Sequence, residues 1–112
     1  MSEPPPTHTS EAAELARPLP SGRHYLEFLR VAALSAGFLR LPPGAVDTQR
    51  PHREDELYYV VRGRATFRHG AHDRAVSAGD LLFVRAGEPH RFHSIGEELV
   101  VLAVFGPAMT PD

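Results

Sequence analysis

The chain has 112 residues, of which 42% are hydrophobic, and its 12 basic and 14 acidic side chains give a formal net charge of −2. This length predicts a single domain with its own core, and the absence of cysteine excludes disulfides, thiolate metal ligands and cysteine nucleophiles. The arginines form no basic stripe, and no run approaches the ~20 apolar residues that cross a bilayer. We therefore expect a cytoplasmic protein that binds neither nucleic acid nor a membrane.

The first 20 residues differ in composition from the rest of the chain. Residues 1–20 are rich in Pro, Ser, Thr and Glu, a composition that predicts a flexible N-terminal segment unable to bury a core. Within it, Ser10 could cap one helical turn that carries Glu11 and Glu14 at its positive end. Pro18 would end that turn.

Residues 21–112 consist of short β-favouring runs separated by turn residues. About eight such runs alternate with Gly- and Pro-containing turns, from HYLEFLRV at residue 24 to ELVVLAVF, which ends at Phe105. Gly70 marks the clearest hairpin, because glycine adopts positive φ at little cost. This spacing predicts an all-β sandwich or barrel over residues 21–112.

The alternation of side chains along a strand predicts which residues share a face. If Glu56 points into the barrel, Tyr58 points inward with it, while Leu57 and Tyr59 point outward. Both faces are then apolar, as they are in the continuous hydrophobic run at residues 99–105. The outer face must be covered by the N-terminal segment or by a second subunit, and we expect a homodimer.

Two segments place imidazole or carboxylate groups next to glycine turns. The first, GAVDTQRPHREDELYYVVRG, begins at Gly44 and contains His52, Glu56 and Gly63; the second, GDLLFVRAGEPHRFHS, contains His90. The spacing resembles the two motifs of the cupin superfamily. The first motif is Gly, five residues, His-x-His, three or four residues, Glu, six residues and Gly. Four of its five positions match here.

The resemblance departs from the family pattern at three positions. Arg50 stands where the first motif has its first histidine. In the second motif, Gly79, Gly87 and His90 match, while Arg85 replaces a proline and Ser94 an asparagine. The match covers about half of the chain and looks like the small single-domain bacterial cupins.

The resemblance implies a double-stranded β-helix, which is a jelly-roll barrel, with a divalent metal held by three histidines and one glutamate. Carried over to this chain, the ligands would be His52, Glu56 and His90. Arg50 cannot replace the missing histidine, because its guanidinium stays protonated and has no lone pair to donate. Two imidazoles and one carboxylate suit Zn, Fe, Mn or Ni.

Several residues around this set have a possible role in the pocket. Gln49 could supply an amide oxygen if the chain bulges, and Glu54 could reach the site if its turn folds over, although a solvated turn is the simpler reading. Arg50 could hold an anionic ligand such as a carboxylate or phosphate at the mouth. Tyr58 and Phe92 are expected to share the inward face and to contact the ligand.

The remaining histidines of the barrel segment are expected outside the site. His93 should lie on the opposite face of the strand from His90, and His69 and His72 should be solvated beside a hairpin tip.

Three functions are compatible with these features. The first is a metal-dependent cupin enzyme of the dioxygenase, isomerase or decarboxylase type. The second is a metal-free module that binds or senses a small anion, and the third is a structural domain whose pocket has no ligand. Because cupins have many activities, the resemblance fixes neither the reaction nor the substrate.

Overall fold

The computed structural model describes residues 7–110, which form one short helix and six strands. These elements are α1 (Glu11–Leu15), β1 (Tyr25–Val31), β2 (Leu34–Leu41), β3 (Asp55–His69), β4 (His72–Ser77), β5 (Leu81–Val84) and β6 (His90–Gly106). The predicted all-β architecture is confirmed. Among the described residues no helix has the length and hydropathy needed to span a membrane.

The strands form one antiparallel sheet in the order β1-β2-β6-β3-β4, with β5 paired to β3. The two long strands β3 and β6 pair from Asp55↔Gly106 at one end to His69↔His90 at the other. Each of these strands joins two of the runs that the sequence suggested as separate. Register shifts between Val60 and Thr66 bend the β3–β6 ribbon without ending it, so fewer and longer strands result.

The inner and outer faces of β3 follow the predicted alternation. Glu56 and Tyr58 are buried, whereas Leu57 and Tyr59, which alternate with them along the strand, are exposed. The inward side chains belong to one apolar core, which is closed by β6 residues such as Phe92. The core therefore surrounds a carboxylate, and this carboxylate belongs to the candidate site.

The N-terminal segment contains the predicted helical turn. The Ser10 hydroxyl accepts a hydrogen bond from the Ala13 amide at 3.1 Å and so caps α1. Arg40 on β2 reaches the backbone oxygens of Leu15 and Arg17, each at 3.4 Å. Part of the predicted N-terminal segment is thus hydrogen-bonded to the barrel through Arg40; residues 1–6 lie outside the described part.

The chain after β6 also folds back onto the barrel. The Met109 amide donates to the Ser35 hydroxyl at 2.8 Å, and the Arg30 guanidinium donates to the Met109 carbonyl. The Thr110 hydroxyl donates to the Glu54 carboxylate at 2.6 Å. These bonds place the Met109 side chain against the core.

Gly63 occupies a position on β3 that no other residue fits. Its φ is +96°, and a Cβ atom added there would lie 2.2 Å from the backbone oxygen of Glu98 on β6. The register shifts of the β3–β6 ribbon occur around this residue. The close approach of the two backbones is thus part of the bend that closes the barrel.

We predict that Gly63→Ala lowers the free energy of unfolding by about 3 kcal/mol, because it adds backbone strain to a backbone collision. Gly70→Ala is the matched control: its φ is +61°, but nothing lies within 4 Å of the added Cβ, so it should cost only ~1 kcal/mol. Urea denaturation followed by circular dichroism measures both. Equal losses of unfolding free energy in the two variants would show that the close approach to the Glu98 backbone does not add to the cost of Gly63→Ala.

Candidate metal centre

Three potential metal ligands that are distant in sequence meet inside the barrel. His52 precedes β3, Glu56 is near the start of β3, and His90 begins β6. Along the β3–β6 ribbon Glu56 lies opposite Phe105, while His90 lies opposite His69 at the far end. One donor atom from each of His52, Glu56 and His90 nevertheless lies within 4.8 Å of the other two. The curl of the sheet brings the three groups together.

The Glu56 carboxylate is buried without the partners that a buried anion requires. Its residue is 1% exposed, and its Oε1 lies 3.0 Å from Nε2 of His90. This distance suits an ion pair, but among the described residues neither carboxylate oxygen accepts a hydrogen bond. Burying an ionised carboxylate in this way costs on the order of several kcal/mol unless a cation compensates for it. The residues present therefore fit a bound metal ion.

The His90 ring is fixed by a bond to the backbone. Its Nδ1 lies 2.9 Å from the Glu88 carbonyl oxygen, which can only accept, so Nδ1 carries the hydrogen and Nε2 faces Glu56. Burial alone would lower the pKa of His90, but the nearby Glu56 carboxylate and the hydrogen bond to the Glu88 carbonyl outweigh it and raise the pKa above its ordinary value. This imidazole is thus held in the orientation of a ligand.

Tyr58 lies between the ligands and the core. It is fully buried, and its hydroxyl donates to Oε1 of Gln49 at 3.0 Å and lies 3.1 Å from Nε2 of His90. Burial, and then the negative charge of Glu56, raise the pKa of Tyr58 well above its usual value. The phenol therefore keeps its proton and acts as a hydrogen-bond donor inside the site.

The loop between β2 and β3 contributes two further residues. Gln49 places its Oε1 3.3 Å from Nε2 of His52, and its Nε2 donates to Oδ2 of Asp47 at 2.8 Å. Asp47 is buried and also accepts from the Phe92 amide at 2.8 Å. We did not predict Asp47 from the sequence. The sequence signal that could have identified it was the spacing of an Asx turn, since Oδ1 of Asp47 accepts a hydrogen bond from the backbone N–H of Gln49 at 3.2 Å.

An open cavity of about 430 Å³ gives access to this site. His52, Glu56 and Tyr58 form part of its wall, and Arg50 lies exposed in the lining. Phe92 is not in the lining: it is fully buried and packs behind Tyr58, with ring centroids 5.3 Å apart. Of the three residues expected to contact a ligand, the structure places two at the cavity and puts Phe92 in a supporting position.

Glu54 is neither in a solvated turn nor among the ligand atoms that come together. It is buried, and its Oε2 accepts the hydrogen bond from Thr110. The segment after β6 covers it, and its carboxylate is not part of the group formed by His52, Glu56 and His90. The possible extra ligand thus serves to hold that segment.

The three histidines that the sequence placed outside the site are His69, His72 and His93. His93 is on the opposite face from His90, as predicted, with its Nε2 3.0 Å from Oδ1 of Asp73. His72 is exposed, also as predicted. The prediction for His69 was wrong, because this ring is half-buried and pairs with Glu88 at 3.2 Å.

Comparison with known proteins gives consistent matches. Residues 37–105 match the family model described as a cupin domain. The chain is 46% identical over 83 residues to an uncharacterized protein of Streptomyces coelicolor, a match covering 74% of this chain and 79% of that protein. It is 35% identical over 68 residues to an oxalate-binding protein of Thermotoga maritima, covering 59% of this chain and 56% of that protein.

Among solved structures, an RmlC-like cupin from Shewanella frigidimarina superposes with a TM-score of 0.71 at 22% sequence identity, over 80% of this chain and 81% of that chain. At this identity the likeness shows the fold alone. The fold is the double-stranded β-helix barrel that the two motifs predicted.

Proposed function

The chain belongs to the cupin family, and from this premise we propose that it binds one divalent transition metal through His52, Glu56 and His90 and, together with the metal, a small carboxylate ligand. The observation that carries the proposal is the buried Glu56 carboxylate, whose one close ionic partner among the described residues is the His90 ring and whose oxygens accept no hydrogen bond of good geometry, while the His52 ring lies nearby. Zn, Fe, Mn and Ni all accept this set of donors. When bound, such an ion acts as a Lewis acid that polarises an oxygen ligand.

The charge at the mouth supports an anionic ligand. Arg23 and Arg50 both line the cavity and are exposed, so guanidinium groups are available to pair with a carboxylate. The relative from Thermotoga maritima is called an oxalate-binding protein, which points to the same chemical class. A small dicarboxylate has one group for the ion and one for an arginine.

The proposal concerns binding and names no reaction. In the cavity wall, Gln49 lies next to the His52 ring and Tyr58 next to the His90 ring. An amide does not transfer protons at neutral pH, and the raised pKa holds the phenol of Tyr58 protonated. Neither group therefore supplies a proton-transfer base at neutral pH. The second candidate function is metal-free anion binding, which is favoured by Arg50 in place of a histidine ligand.

We predict that the purified protein contains close to one transition metal ion per chain, and that His52→Ala or His90→Ala reduces this content to background, because each removes a nitrogen donor. Elemental analysis after dialysis against each candidate metal provides the measurement. His93→Ala is the matched control and should retain the metal, since His93 is paired with Asp73 outside the site. A metal-free wild-type protein after supplementation would favour the second candidate function.

We further predict that the metal-loaded protein binds oxalate, and that Arg50→Ala weakens this binding about tenfold while leaving metal content unchanged, because a charge-assisted hydrogen bond at an exposed site contributes ~1.4 kcal/mol. Isothermal titration calorimetry with metal-loaded and metal-free protein measures the affinity. Arg62→Ala, on an exposed position of β3, is the control. Equal oxalate affinity for wild type and Arg50→Ala would remove Arg50 from the ligand site.

We also propose that the protein is a homodimer that buries an outer patch, defined as Leu57, Tyr59, Leu81 and Phe83. These side chains are between 42% and 68% exposed and form two cross-strand pairs, Leu57↔Phe83 and Tyr59↔Leu81, on β3 and β5. A contiguous apolar patch on the outer face of a sheet is typical of an interaction site. Across a two-fold axis the patch can pack against its own copy, and no complementary second surface is needed.

The double variant Leu81→Asp/Phe83→Asp should halve the molar mass measured by light scattering at micromolar concentration, because it buries charges at the centre of the interface. Ala75→Asp, which adds the same charge at an exposed position of β4, should leave the mass unchanged. A wild-type protein that is monomeric at tens of micromolar would contradict the proposed dimer.

A further inference from the structure

Gln49 directly precedes the motif position at which the first histidine is missing. Arg50, the residue at that motif position, is exposed, whereas Gln49 is half-buried and points its amide into the site. Its Oε1 lies 3.3 Å from Nε2 of His52, a candidate ligand atom. The same oxygen is 3.0 Å from the Tyr58 hydroxyl, which in turn is 3.1 Å from Nε2 of His90. The amide oxygen therefore lies next to the imidazole of His52, and the Tyr58 hydroxyl links it to the imidazole of His90.

The orientation of this amide is set by chemistry. The Nε2 group of Gln49 lies 2.8 Å from Oδ2 of Asp47, and a carboxylate only accepts hydrogen bonds, so the NH₂ group must face Asp47. On the other side, the Tyr58 hydroxyl donates and needs an acceptor. A flipped amide would put oxygen against the carboxylate and NH₂ against the hydroxyl hydrogen. The carbonyl oxygen therefore faces the ligands.

Asp47 is itself held rigidly and is tied to the strand that carries His90. It is 7% exposed, and its Oδ2 also accepts from the backbone amide of Phe92, two residues after His90 on β6. One carboxylate thus holds the loop that carries Gln49 against the strand that carries a metal ligand. Residues that hold ligands in this way are as much a part of a metal site as the ligands themselves.

We propose that the amide oxygen of Gln49 is the fourth protein ligand of the metal, in place of the missing imidazole, and that Asp47 is the positioning residue that orients it. The inference rests on the metal site proposed above. A carbonyl oxygen has two lone pairs, so it can accept from Tyr58 and still bind a cation. The neutral amide adds a donor without adding a second negative charge beside Glu56, and oxygen donors suit divalent ions of this group.

Reconstitution with Co²⁺ tests this inference without any activity assay. Affinity is measured by competition with a chromophoric chelator, and the visible absorption of bound Co²⁺ reports the set of donor atoms. Gln49→Leu keeps the side-chain size but removes the donor, and Gln49→Asn keeps the amide but shortens its reach by one methylene. We expect each variant to weaken Co²⁺ binding at least tenfold and to change the Co²⁺ spectrum at saturation.

Asp47→Asn separates positioning from ligation. The asparagine can still accept from the Phe92 amide, but it no longer forces the Gln49 NH₂ group toward itself. We expect a smaller loss of Co²⁺ affinity and an unchanged spectrum at saturation. Arg53→Ala, an exposed neighbour of His52 outside the cavity lining, is the control for the loop and should match the wild type.

The outcomes distinguish a failure of the proposed metal site from a failure of the role proposed for Gln49. If the wild-type protein binds no Co²⁺, the proposed metal site is wrong and the role of Gln49 is wrong with it. If the wild type binds Co²⁺ but the two Gln49 variants keep its spectrum, the metal site stands and Gln49 is not a ligand. A changed spectrum in both Gln49 variants, with the wild-type spectrum in Asp47→Asn, supports both assignments.

Discussion

The organisation of this protein depends on one carboxylate that is buried in the core of the barrel, at the wall of the cavity. Glu56 is on the inner face of β3 beside Tyr58, where neither of its oxygens accepts a hydrogen bond from a described residue. Its Oε1 lies 3.0 Å from Nε2 of His90, and the carboxylate contributes to raising the pKa of that ring. An anion in this position disfavours folding unless positive charge is placed nearby. The arrangement of imidazoles, hydroxyl and amide around Glu56 follows from that requirement.

The second layer of the site is a chain of hydrogen bonds that begins in a loop and ends on two strands. Asp47 binds both the Gln49 amide and the backbone of Phe92, Gln49 binds Tyr58, and Tyr58 lies against His90. Each of these side chains is buried or half-buried, so removing one of them would take a hydrogen bond from each of its partners. These bonds fasten the loop between β2 and β3 to strands β3 and β6.

Local patterns in the sequence predicted the parts of this structure that depend on local geometry. The period of two along β3 placed Glu56 and Tyr58 on the inner face, and the motif spacing selected His90 from the seven histidines of the chain. The alternation rule gives the face of a residue but not its depth. For this reason Phe92 was expected at the cavity and instead packs behind Tyr58.

The features that could not be predicted depend on contacts between distant parts of the chain. Asp47 reads as a turn residue until its bond to Phe92, 45 positions away, is known. Glu54 reads as a solvated acid until Thr110, 56 positions away, covers it. The number of strands was overestimated for a related reason: positive φ at Gly63 and at Ser94 lets the long strands bend where the sequence suggested that they end.

The residues that form the cavity wall are spread over a longer part of the chain than the two barrel motifs. The family match spans residues 37–105, yet Tyr25 before it and Met109 after it both line the cavity. Met109 is fixed there by Ser35 and Arg30, not by the metal ligands. A change of sequence in either flanking segment would therefore reshape the cavity while leaving His52, Glu56 and His90 in place.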